Sequence, residues 1–247
     1  MEWTDEAIVL GLRRQGESHA VLEAMTRERG RHLGLVRGAR SQKLAAALQT
    51  GNRLRLVWRA RLDEHLGIYA VEPIGFRAAG YMESPIALLA AQTLAALLRL
   101  VSERDPHPEL YAALDEVLDR IGDPVETGEL VVRFELMLLE GLGIGLDLST
   151  CALTGATRDL AWVSPKTGRA ASREAGAPFA DRLLPLPAFL APADGSNHPP
   201  PDGADLAAGF RLTGHFLARH AAQERGRDLP ETRDRLLALI QRDAGGG

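Results

Sequence analysis

At Ser84 the spacing of apolar residues changes from two to three or four, and that switch limits the folds open to this 247-residue chain. Before it, residues 6–76 read as short strands. Ile8, Leu10 and Leu12 alternate, Gly16 marks a turn before 19–26, and Gly30 separates that segment from 32–37. A basic, alanine-rich connection over 38–50 leads to strands at 54–62 and 67–72, closed by Pro73. Five short strands in about 70 residues predict a small closed or half-closed barrel. After the switch, Ser84 as N-cap and Pro85 open a stripe of Ile86, Leu89, Ala90, Thr93, Leu94, Leu97 and Val101. Leu110, Leu114, Val117, Leu118 and Ile121 make a second stripe, ended by Gly122-Asp123-Pro124. Leu130, Phe134, Met137, Leu138 and Gly141 make a third. These spacings predict three antiparallel helices.

The expected class is therefore α+β, with a barrel domain over 1–80 and a helical domain over 81–247. Within the second, 146–190 breaks the helical pattern. Strands at 160–163 and 169–172 flank Ser164-Pro165-Lys166-Thr167-Gly168 as a hairpin. Leu183-Leu184-Pro185-Leu186-Pro187 cannot be a regular helix. A proline-rich surface loop is expected over 191–203, helices over 204–223 and 229–242, and a frayed tail at 245–247.

Charge is unevenly divided between these parts. Residues 1–80 hold 13 Lys or Arg against 9 Asp or Glu, a net +4, so 81–247 carries −8 of the total −4. The single cysteine, Cys151, precludes an intramolecular disulfide and fits a reducing compartment. The acidic start, Met1-Glu2-Trp3-Thr4-Asp5-Glu6, has no apolar signal core, which predicts a cytoplasmic protein. The uncharged run Ser84–Leu98 is shorter than the roughly 20 residues a membrane span needs, so it reads as a buried helix.

Between Arg27 and Arg61 lie ten Lys or Arg residues and one acid, Glu28. The end of that stretch alternates basic and apolar side chains. Arg53, Arg55, Arg59 and Arg61 share one strand face with Val57, while Leu54, Leu56, Trp58, Ala60 and Leu62 take the other. Four guanidiniums in a row repel one another unless something anionic lies across them, and nucleic acid is the commonest such partner. The expected contacts are Arg37, Arg40, Lys43, Arg53, Arg55, Arg59 and Arg61, with Arg13 and Arg14 as weaker candidates. Trp58 falls on the apolar face and belongs to the core, so binding should rest on the phosphate backbone rather than on stacking.

Other motifs carry no chemistry. Gly141-Leu142-Gly143-Ile144-Gly145 follows an amphipathic helix and lacks the spacing of a dinucleotide loop, so it reads as a helix end. His215 and His220 lie on different helix sides, and His198 sits among prolines. Cys151 has no neighbouring histidine to act as its base and reads as a buried structural thiol. No catalytic centre and no enzymatic turnover are expected. Arg133 borders the third apolar stripe. Its plain role is an i,i+4 pair with Glu129, and its functional role would be an anchor for an acidic peptide end.

The order of Glu28-Arg29-Gly30, Val36-Arg37-Gly38-Ala39-Arg40 and Ala47-Leu48-Gln49, then Arg133-Phe134-Glu135-Leu136 through Gly143, then Asp147-Leu148 through Cys151-Ala152 and Thr154-Gly155, resembles the bacterial RecO family of recombination mediators. Ser164–Ala170 and Leu183–Pro187 sit where such proteins have the return of a small ribbon and the entry to the last helices. The resemblance implies an N-terminal five-stranded OB-fold barrel and a helical domain. It implies binding to single- and double-stranded DNA, annealing of complementary strands, and, with RecR, help in loading RecA onto DNA coated by single-stranded DNA-binding protein. It associates the helical domain, with Arg133 a candidate contact, with the acidic C-terminal tail of that protein, and it implies a nucleoid-associated place in the cytoplasm. Many relatives hold zinc with two C-x-x-C pairs. Here the first survives only as Cys151 and Thr154, and Ala171, Ser172 and Glu174 supply no thiolate. One thiolate cannot make a closed four-ligand site, so no metal or cofactor is expected. Leu153, Leu160 and Trp162 are then the candidates for holding the zinc-less hairpin by packing. The rival readings are an RNA-binding OB module of translation or RNA processing, and a hydrolase using Cys151 with a distant histidine.

Overall fold

The computed structural model describes residues 1–192, 200–226 and 228–244. Most of the stretch expected as a proline-rich loop, His198 and the tail 245–247 lie outside them. By contact the chain divides into two compact units, Met1–Gly122 and Asp123–Gly247.

The first unit is built on a closed barrel. Its strands are β1 (Glu2–Gln15), β2 (His19–Thr26), β3 (Gly30–Val36), β4 (Arg53–Arg59) and β5 (Ile68–Gly75), with helix α1 (Gln42–Ala47) between β3 and β4. Around the barrel the order is β1-β2-β3-β5-β4, and β4 pairs back onto β1. The alternation expected at 53–59 is what closes it. Leu54, Leu56 and Trp58 are all 0% exposed and pack with Val9, Leu22 and Tyr69. The Trp58 ring lies 5.6 Å from that of Trp3 at 17°, and its Nε1 donates to the Leu66 carbonyl at 3.0 Å. Gly30 turns the chain at φ +67, and a Cβ there would fall 1.8 Å from the Asp105 carbonyl oxygen. Three helices follow: α2 (Ala78–Tyr81), α3 (Pro85–Leu97) and α4 (Pro108–Arg120). Ser84 caps α3 by accepting from Ala87 N–H at 3.2 Å. The expected seam near residue 80 is where the barrel ends, but α3 and α4 belong by contact to the first unit.

The second unit opens with α5 (Pro124–Gly141), six residues before the apolar stripe that announced it. Asp123 accepts from Glu126 N–H at 2.9 Å and Pro124 takes the first position, so the signal read as a helix stop is also a helix start. At its other end the Ile144 N–H returns to the Leu139 carbonyl and Gly143 has φ +76, the helix end expected of the glycine run. Strands β6 (Leu160–Val163) and β7 (Ala170–Ser172) form the expected hairpin; helix α6 (Arg173–Gly176) follows, and β8 (Leu184–Pro185) adds a third strand in the order β7-β6-β8. Leu160 is 7% exposed, but Leu153 is 63% exposed and takes no part in holding the ribbon. Helices α7 (Gly203–Arg225) and α8 (Glu231–Ala244) complete the unit against α5.

The apolar stripe of α5 differs from expectation in one respect. Met137 faces outward at 38% exposure, and Glu135, at 0%, faces the core. Arg233 of α8 meets it with Nε–Oε1 at 2.7 Å and Nη2–Oε2 at 2.9 Å, and donates to the Phe210 carbonyl at 2.6 Å. A carboxylate is tolerated there because it is fully paired.

Candidate nucleic-acid interface

The basic ladder of β4 exists, but its charge is already met within the chain. Arg53 donates to Asp115 Oδ1 and Oδ2 at 2.6 and 2.5 Å and to Asp119 at 3.0 Å. Arg55 pairs with Glu72, its register partner on β5, at 3.1 Å. Arg59 pairs with Glu2, its register partner on β1, at 3.0 Å. Arg61 lies beyond the strand, which ends at Arg59; it is exposed and has no carboxylate within ion-pair distance among the described residues, so three of the four arginines are met and one is not. The expectation of an unneutralised row is therefore corrected. Counting charges along 27–61 could not register acids supplied by residues 2, 72, 115 and 119. The pairs are unequal, however. Arg53 is chelated by two carboxylates, whereas Arg55 and Arg59 are 47% and 65% exposed, in solvent-screened surface pairs that hold them only loosely.

The remaining basic residues of 27–31 are also engaged. Arg27 pairs with Glu6 at 3.6 Å, Arg31 with Glu23 at 2.7 Å, and Arg29 lies over the Trp3 ring.

A different set is unpaired. Arg13, Arg14, Arg37, Arg40 and Lys43 are exposed, and none has a carboxylate within ion-pair distance among the described residues. The topology brings them to one end of the barrel. Arg14 pairs with Ala20 of β2, and Ala20 with Val36 of β3, so Arg14 and the start of the β3–α1 connection are two strand spacings apart, roughly 10 Å. That connection carries Arg37 and Arg40 and runs into α1 at Lys43. Arg40 Nη1 donates to the Glu17 carbonyl at 2.8 Å, which ties the connection to the tip of the β1–β2 hairpin. The two arginines treated as weaker candidates thus stand beside the three least visible in the alternation.

Past the last turn of α1, level with Val9 of β1, lies Asn52, 1% exposed. Its Nδ2 donates to the Ala46 and Ala47 carbonyls at 2.9 and 3.2 Å, and its Oδ1 accepts from Arg77 and Ala78 N–H at 2.8 and 3.0 Å. It joins the last turn of α1 to the start of α2. Nothing in the strand pattern singled it out.

In the second unit, Arg133 is half exposed and engaged on two sides. It meets Glu129 at 2.8 Å and donates to the Phe189 carbonyl at 2.7 Å, with its guanidinium 5.8 Å from the Phe189 ring. A groove of about 520 Å³ on the same unit brings together Leu142, Ile144 and Phe216 with Lys166, Arg219 and His220. Local spacing does not reveal this set, because Lys166 comes from the hairpin turn and Arg219 and His220 from α7. Cys151 is 2% exposed, with its Sγ 3.7 Å from the Ser172 hydroxyl. Burial raises its pKa, but the Thr154 hydroxyl and the N–H groups of Ser172, Leu153 and Thr154 outweigh that and bring it down to about 6. Among the described residues no three of His, Cys, Asp and Glu converge as metal ligands, and no helix is long and apolar enough to cross a membrane.

Comparison with known proteins bears on both units. The family model described as Recombination protein O N terminal matches residues 1–76, and that described as Recombination protein O C terminal matches 82–228. A DNA repair protein RecO of Chelativorans sp. is 54% identical over 243 residues, covering 98% of this chain and 97% of the relative. Those of Rhizobium etli and Methylorubrum extorquens are 55% and 54% identical, over 95% and 97% of this chain and 90% and 98% of theirs. With both halves matched in order, the chain belongs to the RecO family of recombination and DNA-repair proteins.

Proposed function

We propose that this protein binds the backbone of single- and double-stranded DNA with the end of its barrel bearing Arg13, Arg14, Arg37, Arg40 and Lys43. It anneals complementary strands there and, with RecR, assists RecA loading onto DNA coated by single-stranded DNA-binding protein. It acts by binding and without turnover. The observation that carries the reading is the convergence of five exposed cations with no carboxylate partner among the described residues. Cations on adjacent elements neutralise two phosphate backbones at once, which lowers the repulsion that opposes pairing. Arg55 and Arg59 add to the field, since phosphate competes readily with an exposed carboxylate. Arg53 does not.

The acidic tail of the single-stranded DNA-binding protein docks on the second unit. The groove that brings Lys166 and Arg219 beside Leu142, Ile144 and Phe216 supports this, because cations at the edge of an apolar floor suit an acidic peptide end. Arg133 contributes from its exposed side. The test is annealing of complementary strands, naked and protein-coated, by the parent and by an Arg13→Ala, Arg14→Ala, Arg37→Ala, Arg40→Ala variant. Loss of both activities is expected. Full annealing by that variant in low salt overturns the assignment, and preferential capture of RNA over DNA of equal sequence favours an RNA-directed role instead.

A further inference from the structure

Between α1 and α2 lies a groove of about 530 Å³ that the backbone-binding reading leaves unused. Ala45 and Ala46 of α1 form one side, Phe76 and Met82 another, and Leu88 of α3 lines it as well. Phe76 is 62% exposed, Met82 82% and Leu88 39%. Phe76 is the only exposed Phe, Tyr or Trp ring in residues 1–122: Trp58, Tyr69, Tyr81 and Tyr111 are buried and Trp3 is partly buried. A phenyl ring left in water forgoes the stabilisation that burial of its apolar surface would give, so an exposed ring beside a concave wall invites a flat apolar guest.

The groove's surroundings select that guest. None of its lining residues is charged, and Gln49, Thr50 and Gln92 supply amide and hydroxyl groups at its edge. Lys43 stands one helical turn before Ala46 on α1, and α1 is entered from the segment bearing Arg37 and Arg40. A polyanion following these cations along the barrel end is therefore led to the mouth of the groove. The walls are also fixed before anything binds. Asn52 fastens the last turn of α1 to Arg77 and Ala78, the residues that follow Phe76. Gly51 approaches so closely that a Cβ there would fall 2.6 Å from the Tyr81 ring.

We propose that this groove is a nucleobase slot, with Phe76 as its stacking platform, for single-stranded nucleic acid whose phosphates lie on Lys43 and its neighbouring arginines. This deepens the reading given above and rests on it. A duplex keeps its bases stacked within the helix and reaches only the cations, so the slot distinguishes an open strand from a paired one. It also holds a base unstacked and accessible while the backbone stays bound, which is the state from which pairing with a second strand begins.

The test measures affinity of the whole protein for oligothymidylate, for a duplex of equal length, and for a strand of abasic sites. The parent is compared with Phe76→Leu, Phe76→Trp and Lys43→Ala. Removing one stacking ring weakens single-strand binding by about tenfold. Phe76→Leu should therefore lose about that factor on oligothymidylate, remain within about twofold on duplex, and be unchanged on the abasic strand. Phe76→Trp should retain oligothymidylate binding, which excludes a general loss of fold, and Lys43→Ala should weaken all three. Unchanged oligothymidylate affinity in Phe76→Leu overturns the slot, as does an equal loss on duplex. Displacement of an acidic amphipathic peptide from the groove, with strand affinity unchanged in Phe76→Leu, assigns it to a protein partner and overturns it as well. A parent that binds none of the three nucleic acids overturns the backbone reading itself.

Discussion

Asp115 of α4 grips the Arg53 guanidinium at both Nε and Nη2, so the first arginine of the β4 ladder is tied into the fold. Arg77 completes the cluster, reaching Asp115 at 2.7 Å and Asp119 at 2.6 Å. Breaking it costs stability and spares binding. Arg53→Ala should lose about 1–2 kcal/mol, read from the urea midpoint, because a charge-assisted pair is lost and Asp115 keeps only Arg77. DNA affinity of the same variant should stay within about twofold of the parent. A tenfold loss of affinity without loss of stability would return Arg53 to the interface.

The unpaired cations should behave in the opposite way. With four or five of them on phosphates, log Kd for a single strand should vary with log salt at a slope of magnitude about 3. Arg37→Ala together with Arg40→Ala should reduce that slope by about 1.4 and lower the unfolding midpoint only slightly, through loss of the exposed Arg40–Glu17 hydrogen bond. A slope that does not move places the phosphates elsewhere.

Glu135 and Arg233 form the buried pair of the second unit, and each depends on the other. Glu135→Ala strands a guanidinium that is 7% exposed, so a loss of about 3–5 kcal/mol is expected in thermal or urea unfolding. The double variant Glu135→Leu, Arg233→Met should recover a large part of it, since neither charge is then left alone. If the double variant is no better than the single one, the pair is not what holds α5 to α8.

His32 is 3% exposed, with its Nδ1 2.7 Å from the Tyr69 hydroxyl. Burial, reinforced by the Arg104 charge, pushes its pKa down from 6.5 to about 4. The unfolded chain therefore takes up a proton that the folded chain refuses between about pH 6.5 and 4. The stability His32 contributes is complete above the upper value and is lost as pH falls through the lower one. The loss should be about 1–3 kcal/mol. His32→Gln should show a flatter dependence of unfolding free energy over that window, and parallel curves for the two proteins would contradict the assignment.

The barrel was legible because strand alternation is a local signal, and Leu54, Leu56 and Trp58 landed inside as their spacing required. The helices were legible for the same reason, with Ser84 and Pro85 marking the start of α3. Charge was not legible in this way. Arg55 and Arg59 are paired across strand registers, and Arg53 by a helix some 60 residues later, so a count along the chain cannot register these partners. That Arg13 and Arg14 neighbour Arg37 is visible only in the β1–β2–β3 register, which local spacing does not carry. Glu135 was invisible for a related reason: an acid on an apolar stripe makes sense only once Arg233 is placed opposite it. Local periodicity determines elements, whereas the availability of a charge depends on who sits across from it.

The side-chain amide of Asn52 has both its hydrogens and both its lone pairs occupied, and it has no access to water. A clamp in that condition has no slack. The gap it spans cannot widen for a bulky visitor or shrink onto a slender one without breaking a bond that solvent will not replace. The spacing works as a gauge, and admission depends on thickness more than on sequence identity.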